Sequence, residues 1–150
     1  MVKTIGSFLL AVITTYLLGA IFVSQGNIAA VVALGFDISF AQRLDAAVHD
    51  MLNMTDIYLP LVAISLLLGL PVAYAIVRKR PHLGLIGYTL AGFVALLAIH
   101  LIIKAVVGLS GVAPTRTLIG LLCQGIAGGV GGTFSIGSPP NCRTTKTMAT

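Results

Sequence analysis

The chain has 150 residues, of which 57% are apolar and only 9% charged, and its mean hydropathy is +1.05. An average soluble domain carries about 25% charged residues, and a water-soluble fold of this size cannot hide so much apolar surface, so the composition points to lipid as the solvent. The net charge of +5 would suit nucleic acid in a soluble domain. Here the basic residues sit between apolar runs, as topology signals do, and no nucleic-acid partner is expected.

Four apolar runs lie at about 5–23, 57–77, 83–109 and 117–136. Each is close to the ~20 residues that a helix needs to cross hydrocarbon. Backbone groups in lipid must be bonded internally, so each run is read as a transmembrane helix. The expected fold is all-α: an integral membrane bundle of four transmembrane helices with an amphipathic helix in the first outside loop. One domain over 1–137 and a flexible cytoplasmic tail over 138–150 follow.

The first run follows Lys3 and exceeds the ~7–15 apolar residues of a secretory signal. No Ala-x-Ala site ends it, so it is read as an uncleaved helix. The loop over 24–56 is long for a connector and is expected to be structured. Its segment 28–35 is apolar but too short to span, and is placed at the interface or dipping into the bundle. Ser39 and Gln42 make a capping-box pair. Phe40, Leu44, Ala47, Val48, Met51 and Leu52 then recur at helical spacing. An amphipathic helix over 40–52 is predicted, lying on the outer membrane surface or capping the bundle. Asn53-Met54-Thr55 matches a glycosylation sequon, which is discounted beside a membrane helix in a chain of bacterial character.

In the second helix, Pro60 falls in the first turn, where proline is tolerated. Pro71 is interior and is expected to kink the helix as a packing feature. The connector Arg78-Lys79-Arg80-Pro81-His82 is short, so the second and third helices are antiparallel neighbours. Arg78, Lys79 and Arg80 are read as a topology anchor that meets anionic lipid headgroups.

In the third helix, Gly87, Ala91, Ala95 and Ala98 form a small-residue stripe suited to close packing. Thr89, Phe93, His100 and Lys104 gather on roughly the opposite side. Lys104 either snorkels to the headgroups or pairs with an acidic residue of the first loop, the named partner being Asp50, next to His49. A metal shared by His49 and His100 with Asp45 or Asp50 has no paired-His or HExxH motif to support it, so no metal or cofactor is expected.

The fourth helix is rich in glycine. Gly120, Gly125, Gly128, Gly129, Gly131 and Gly132 cover about half its circumference, together with Thr117 and Gln124. Leu118, Leu122, Ile126 and Val130 cover much of the rest. Gly125 with Gly129 and Gly128 with Gly132 are overlapping GxxxG spacings, so the glycine half is expected to meet another helix and the aliphatic half to face lipid. No strand precedes these glycines and no GKS/T ending follows, so a phosphate-binding loop is not indicated. Arg116 and Gln124 could join His100 and Lys104 in a polar cluster near the outer face. The two cysteines, Cys123 and Cys142, form no CxxC motif or disulfide framework. Cys123 is read as a packing residue and Cys142 as a free thiol.

Orientation follows from Lys and Arg. With the N-terminus inside, Lys3, Arg78, Lys79, Arg80, Arg143 and Lys146 are cytoplasmic, and only Arg43 and Arg116 lie in outside loops, which fits the positive-inside rule. All four acidic residues, Asp37, Asp45, Asp50 and Asp56, fall in the first outside loop.

The segments His49-Asp50-Met51-Leu52, Leu59-Pro60-Leu61, Ala91-Gly92-Phe93 and His100-Leu101, with the glycine-rich last helix, resemble a group of small bacterial inner-membrane proteins without established activity. The resemblance implies a multi-pass architecture in a bacterial inner membrane, and no function. The chain has no Glu, so the first-helix glutamate of small multidrug transporters is missing, and paired cysteines of disulfide-forming membrane oxidoreductases are missing too.

The leading functional expectation is non-enzymatic: a structural or accessory subunit in the lipid bilayer, packing into a homo-oligomer or a larger membrane complex through the glycine-rich fourth helix. The alternative is a small ion or solute transporter or channel using His49, Asp50, His100, Lys104, Arg116 and Gln124. A third is a lipid- or quinone-linked membrane enzyme.

Overall fold

The computed structural model describes residues 2–108 and 113–137. Among these residues the chain is all-α, with five α-helices: α1 (Val2–Ala33), α2 (Phe40–Asn53), α3 (Thr55–Lys79), α4 (Gly84–Val107) and α5 (Leu118–Thr133). Short 3-10 turns at Pro81–Leu83, Ala113–Arg116 and Phe134–Gly137 join or extend them. α1, α3 and α4 are each long and apolar enough to cross a membrane, whereas α5 is a shorter apolar helix. The segment 138–150, with Cys142, Arg143 and Lys146, lies outside the described residues.

The distribution of polarity identifies the solvent. Leu9, Leu10, Ile13 and Leu17 of α1 are exposed, as are Ile64, Leu67, Leu68 and Val72 of α3 and Leu90, Val94 and Leu101 of α4. Buried between the helices are Thr15, Ser24, Ser65, His100 and Gln124 beside Tyr58, Val62, Leu66 and Leu96. Such an apolar exterior around a partly polar interior is stable where the surroundings are hydrocarbon, and it marks a helical membrane protein.

Neighbouring long helices run antiparallel. Gly69 of α3 lies against Ala91 and Ala95 of α4, and Val77 lies against Gly84 and Gly87. Positions rising along one helix therefore fall along the other. α5 packs on α4 and on α1. Thr15 and Ala11 of α1 meet Gly131, and Gly19 meets Gln124, so that pair is antiparallel too.

Two boundaries differ from the sequence expectation. α1 does not end near Val23; it runs on to Ala33, taking in most of the apolar 28–35 segment. Ser24 and Ile28 are buried, and the Gln25 amide donates to the Arg43 carbonyl at 3.2 Å, so this extension is held by α2 packing against it. α3 begins at Thr55 rather than Ile57, which moves Pro60 out of the first turn, and the helix continues through both Pro60 and Pro71. A proline N–H is absent at both points, and both prolines lie at exposed positions of the helix.

α2 begins with the capping box foreseen at Ser39 and Gln42: the Ser39 hydroxyl accepts from the Gln42 N–H at 3.3 Å and the Gln42 side chain accepts from the Ser39 N–H at 2.8 Å. Ala47 is buried, while Phe40, Leu44, Val48 and Leu52, spaced by four, form an exposed apolar stripe. The helix is tied to α1 by the Tyr16 hydroxyl, which donates to the Met51 carbonyl at 2.5 Å. Asp50 is not tied to Lys104. Its carboxylate lies 3.7 Å from His49 Nδ1 of the same helix. Removing the Tyr16 hydroxyl forfeits a hydrogen bond worth about 0.5–1.5 kcal/mol. Tyr16→Phe is therefore expected to speed hydrogen exchange of the α2 amides several-fold, while Lys104→Met leaves them unchanged. Equal protection of α2 in wild type and Tyr16→Phe would contradict this.

Candidate functional site: a cationic cleft between α4 and α5

The register of α4 against α5 follows from their glycines. A methyl group built on Gly92 would overlap the carbonyl oxygen of Gly128, and one on Gly128 would overlap that of Gly92. One turn away, a methyl on Gly132 would overlap the Tyr88 carbonyl oxygen. The helices thus meet backbone to backbone, as small residues permit in membranes. Residues four apart share a helix face. Stepping from Gly92 by fours reaches Leu96, His100 and Lys104, while stepping back from Gly128 reaches Gln124 and Gly120 in the first turn of α5, which the 3-10 turn carrying Arg116 precedes. The glycine contact therefore carries Lys104 to the level of Arg116.

At that end of the pair lies a cleft of about 220 Å³ lined by His100, Leu101, Lys104, Thr115, Arg116, Thr117, Leu118 and Leu121. Lys104 and Arg116 are exposed and neither is ion-paired among the described residues. Gly108, in the left-handed region at φ 73°, ends α4 just past Lys104, its N–H bonding the Lys104 carbonyl at 3.0 Å. On the facing side Thr117 caps α5, its hydroxyl accepting from the Gly120 N–H at 3.1 Å. His100 is only 3% exposed. Its Nδ1 lies 2.8 Å from the Leu96 carbonyl one turn back, which assigns the proton to Nδ1 and leaves Nε2 as an acceptor. Nε2 is buried with no hydrogen-bond partner among the described residues.

The structure divides the polar residues singled out by sequence into three places. His100, Lys104 and Arg116 share the cleft. Gln124 sits deeper, fully buried. Its side-chain oxygen accepts from the Tyr58 hydroxyl and its amide donates to the Gly19 carbonyl at 3.2 Å, so it links α1, α3 and α5. His49 and Asp50 stay together on α2 and do not line the cleft. Among the described residues no three His, Cys, Asp or Glu side chains gather as a metal would require. Arg78, Lys79 and Arg80 are exposed at the end of α3, where the Arg80 N–H closes the helix on the Ile76 and Val77 carbonyls at 3.1 Å.

The packing residues also separate. Gly87, Ala91 and Ala95 face α3, against Val77 and Gly69, while Gly125 and Gly129 lie against Phe93 and Thr89 of α4. Gly128 and Gly132 face Gly92 and Tyr88. Sequence reasoning missed Gly92, Gly69 and Tyr58 as packing partners and Thr115 and Thr117 as cleft residues. The signal for Gly92 was available, because it shares the four-residue column of His100 and Lys104. No protein-family model, curated protein or solved structure matches this chain.

Proposed function

We propose that this chain is a four-span protein of a bacterial inner membrane, with both termini cytoplasmic, that serves as a structural or accessory subunit. α5 supplies the fourth span. Its 16 residues reach about 24 Å at 1.5 Å per residue, and the 3-10 turns at either end, rising roughly 2 Å per residue, carry it across the ~30 Å of hydrocarbon. The excess of Lys and Arg at the Lys3 and Arg78–Arg80 end supports the orientation. On that topology α2 lies at the outer surface, its Phe40, Leu44, Val48 and Leu52 stripe turned to lipid.

The observation that carries the accessory reading is how the interior is used. The bundle's centre is backbone against backbone at Gly92 and Gly128, and the fully buried polar side chain of Gln124 is engaged in holding three helices together. The glycine face of α5 is thereby occupied within the chain, so a homo-oligomer or larger complex would meet exposed edges such as Leu118, Leu122, Ile126 and Val130. Native mass spectrometry of the protein gently extracted from its own membrane is expected to show it with a second protein at fixed stoichiometry, or as a defined oligomer. A bare monomer would count against the proposal.

One observation favours solute transport as a second reading, namely the cationic cleft itself. His100→Phe separates the two: lost flux with intact assembly selects transport, and lost assembly alone selects the accessory role.

A further inference from the structure

One end of the bundle gathers both signs of charge. The start of α3, the end of α4 and the start of α5 lie at that end, because neighbouring long helices run antiparallel. It carries Asp37, Asp45, Asp50 and Asp56 against Arg43, Lys104 and Arg116. Such a near balance would suit a set of internal ion pairs, yet the one pair among the described residues is Asp50 with His49. The signs are instead sorted by position. Every acidic residue falls on α2 or beside its two ends, and α2 packs on α1 and lightly on α3. Lys104 and Arg116 lie together on the α4–α5 side, in a cleft that no acidic residue lines.

Each sign borders an exposed apolar surface. On α2 the stripe of Phe40, Leu44, Val48 and Leu52 is exposed, and so is Asp45. Asp45 stands three residues before Val48, so the two are neighbours on the helix surface. On α5, Leu118 and Ile119 follow Arg116 within three residues and are 71% and 76% exposed. An apolar strip with an acidic border and an apolar strip with a basic border are complementary halves of an interface, with apolar contact inside and opposite charge at the rim. The halves do not meet within one chain, because Tyr16 and Gln25 tie α2 to α1. A like-to-like contact would set acid against acid, or Lys104 and Arg116 against their own copies, and like charges facing each other are costly. The pairing that satisfies both halves joins the acidic half of one copy to the basic half of the next.

We propose that copies of this chain associate head to tail, the α2 face at Asp45 and Val48 of one copy seating against the surface of Lys104, Arg116, Leu118 and Ile119 on the next. Over that part of the α2 stripe the neighbouring copy takes the place of lipid. The proposal rests on the homo-oligomer form of the accessory reading and names the partner as a second copy. The contact is heterologous, so each copy keeps one half free for a further copy, and assembly runs past the dimer to a ring or a row. Exposed ion pairs add little by themselves, whereas opposed like charges repel, so the informative variants reverse a sign rather than remove it.

The test is the oligomeric state of the full chain in mild detergent, read by native mass spectrometry over a range of protein concentration. Wild type is expected to assemble beyond a dimer. Asp45→Lys, and separately Lys104→Asp/Arg116→Asp, are each expected to raise the concentration needed for assembly about tenfold or more. A chain with all three reversals has opposite signs again at every contact, and is expected to return to the wild-type oligomer. All three side chains are exposed, and that recovery also shows that the variants fold. A wild-type chain that stops at a dimer, assembly unmoved by either reversal, or no recovery in the triple variant would overturn the proposal. A fixed complex with a different protein and no self-association would overturn it and leave the accessory reading standing, whereas a bare monomer would end both.

Discussion

Gly128→Leu is expected to destroy the α4–α5 pairing and, with it, the folded bundle. Even a methyl group on Gly128 would overlap the Gly92 carbonyl oxygen and come within 3.0 Å of the Leu96 side chain. Those neighbours are backbone or fully buried, so neither can swing aside as the end of a flexible chain could. Overpacking a core costs about 1–3 kcal/mol and occasionally more, and a leucine wedged between two helix backbones lies at or beyond the upper end. The measurement is the fraction of protein that stays folded in a denaturing-detergent titration. Gly92→Leu, which strikes the reciprocal surface, is expected to match it. Gly6→Ala is the control: nothing lies within 4 Å of a methyl built there, and alanine in place of glycine favours a helix by roughly 1 kcal/mol. A folded Gly128→Leu with wild-type stability would show that the helices are not held at this point.

The second large effect is expected at Gln124. The side chain is 0% exposed and bonds to both Tyr58 and Gly19. Gln124→Ala leaves a cavity and an unpaired Tyr58 hydroxyl, for a loss of about 2–4 kcal/mol. Tyr58→Phe alone strands only the Gln124 side-chain oxygen and is expected to cost less, in line with the ~0.6 kcal/mol average for hydrogen bonds between membrane helices. The double variant Tyr58→Phe/Gln124→Leu replaces both partners by apolar groups, which can come close to neutral. With Gln124→Leu as the matching single variant, the sum of the Tyr58→Phe and Gln124→Leu losses should therefore exceed the double loss, with a coupling of roughly 1 kcal/mol in denaturant titrations of wild type, the two single variants and the double variant. Strictly additive losses would mean that the Tyr58–Gln124 bond does not hold α3 to α5.

Much of the fold was legible in the sequence because the deciding physics is local. A long apolar run in lipid must be helical, whatever its neighbours, because its backbone groups have no other partners. The three long spans follow from that. The Ser39–Gln42 capping box is closed within four residues, so the start of α2 could be read to the residue. Arg78 to His82 forces a tight reversal, and α3 and α4 are antiparallel as a result. The end of α1 was misjudged for a complementary reason. Ser24, Gln25 and Gly26 look like a stop when read alone, but Gln25 has its partner in α2, and the helix runs on to Ala33.

What composition and period determined by themselves is the membrane setting, the helical class and which stretches span. Which helix face meets which was decided only by the tertiary structure. Helical periodicity places residues on a face of their own helix, while the register between two helices is set by where their backbones can come closest. That point is a property of a pair of glycines 36 positions apart, Gly92 and Gly128. From it follow the position of Gln124 beside Tyr58, the separation of Asp50 from Lys104, and the meeting of Lys104 with Arg116 across a cleft whose inner wall is His100.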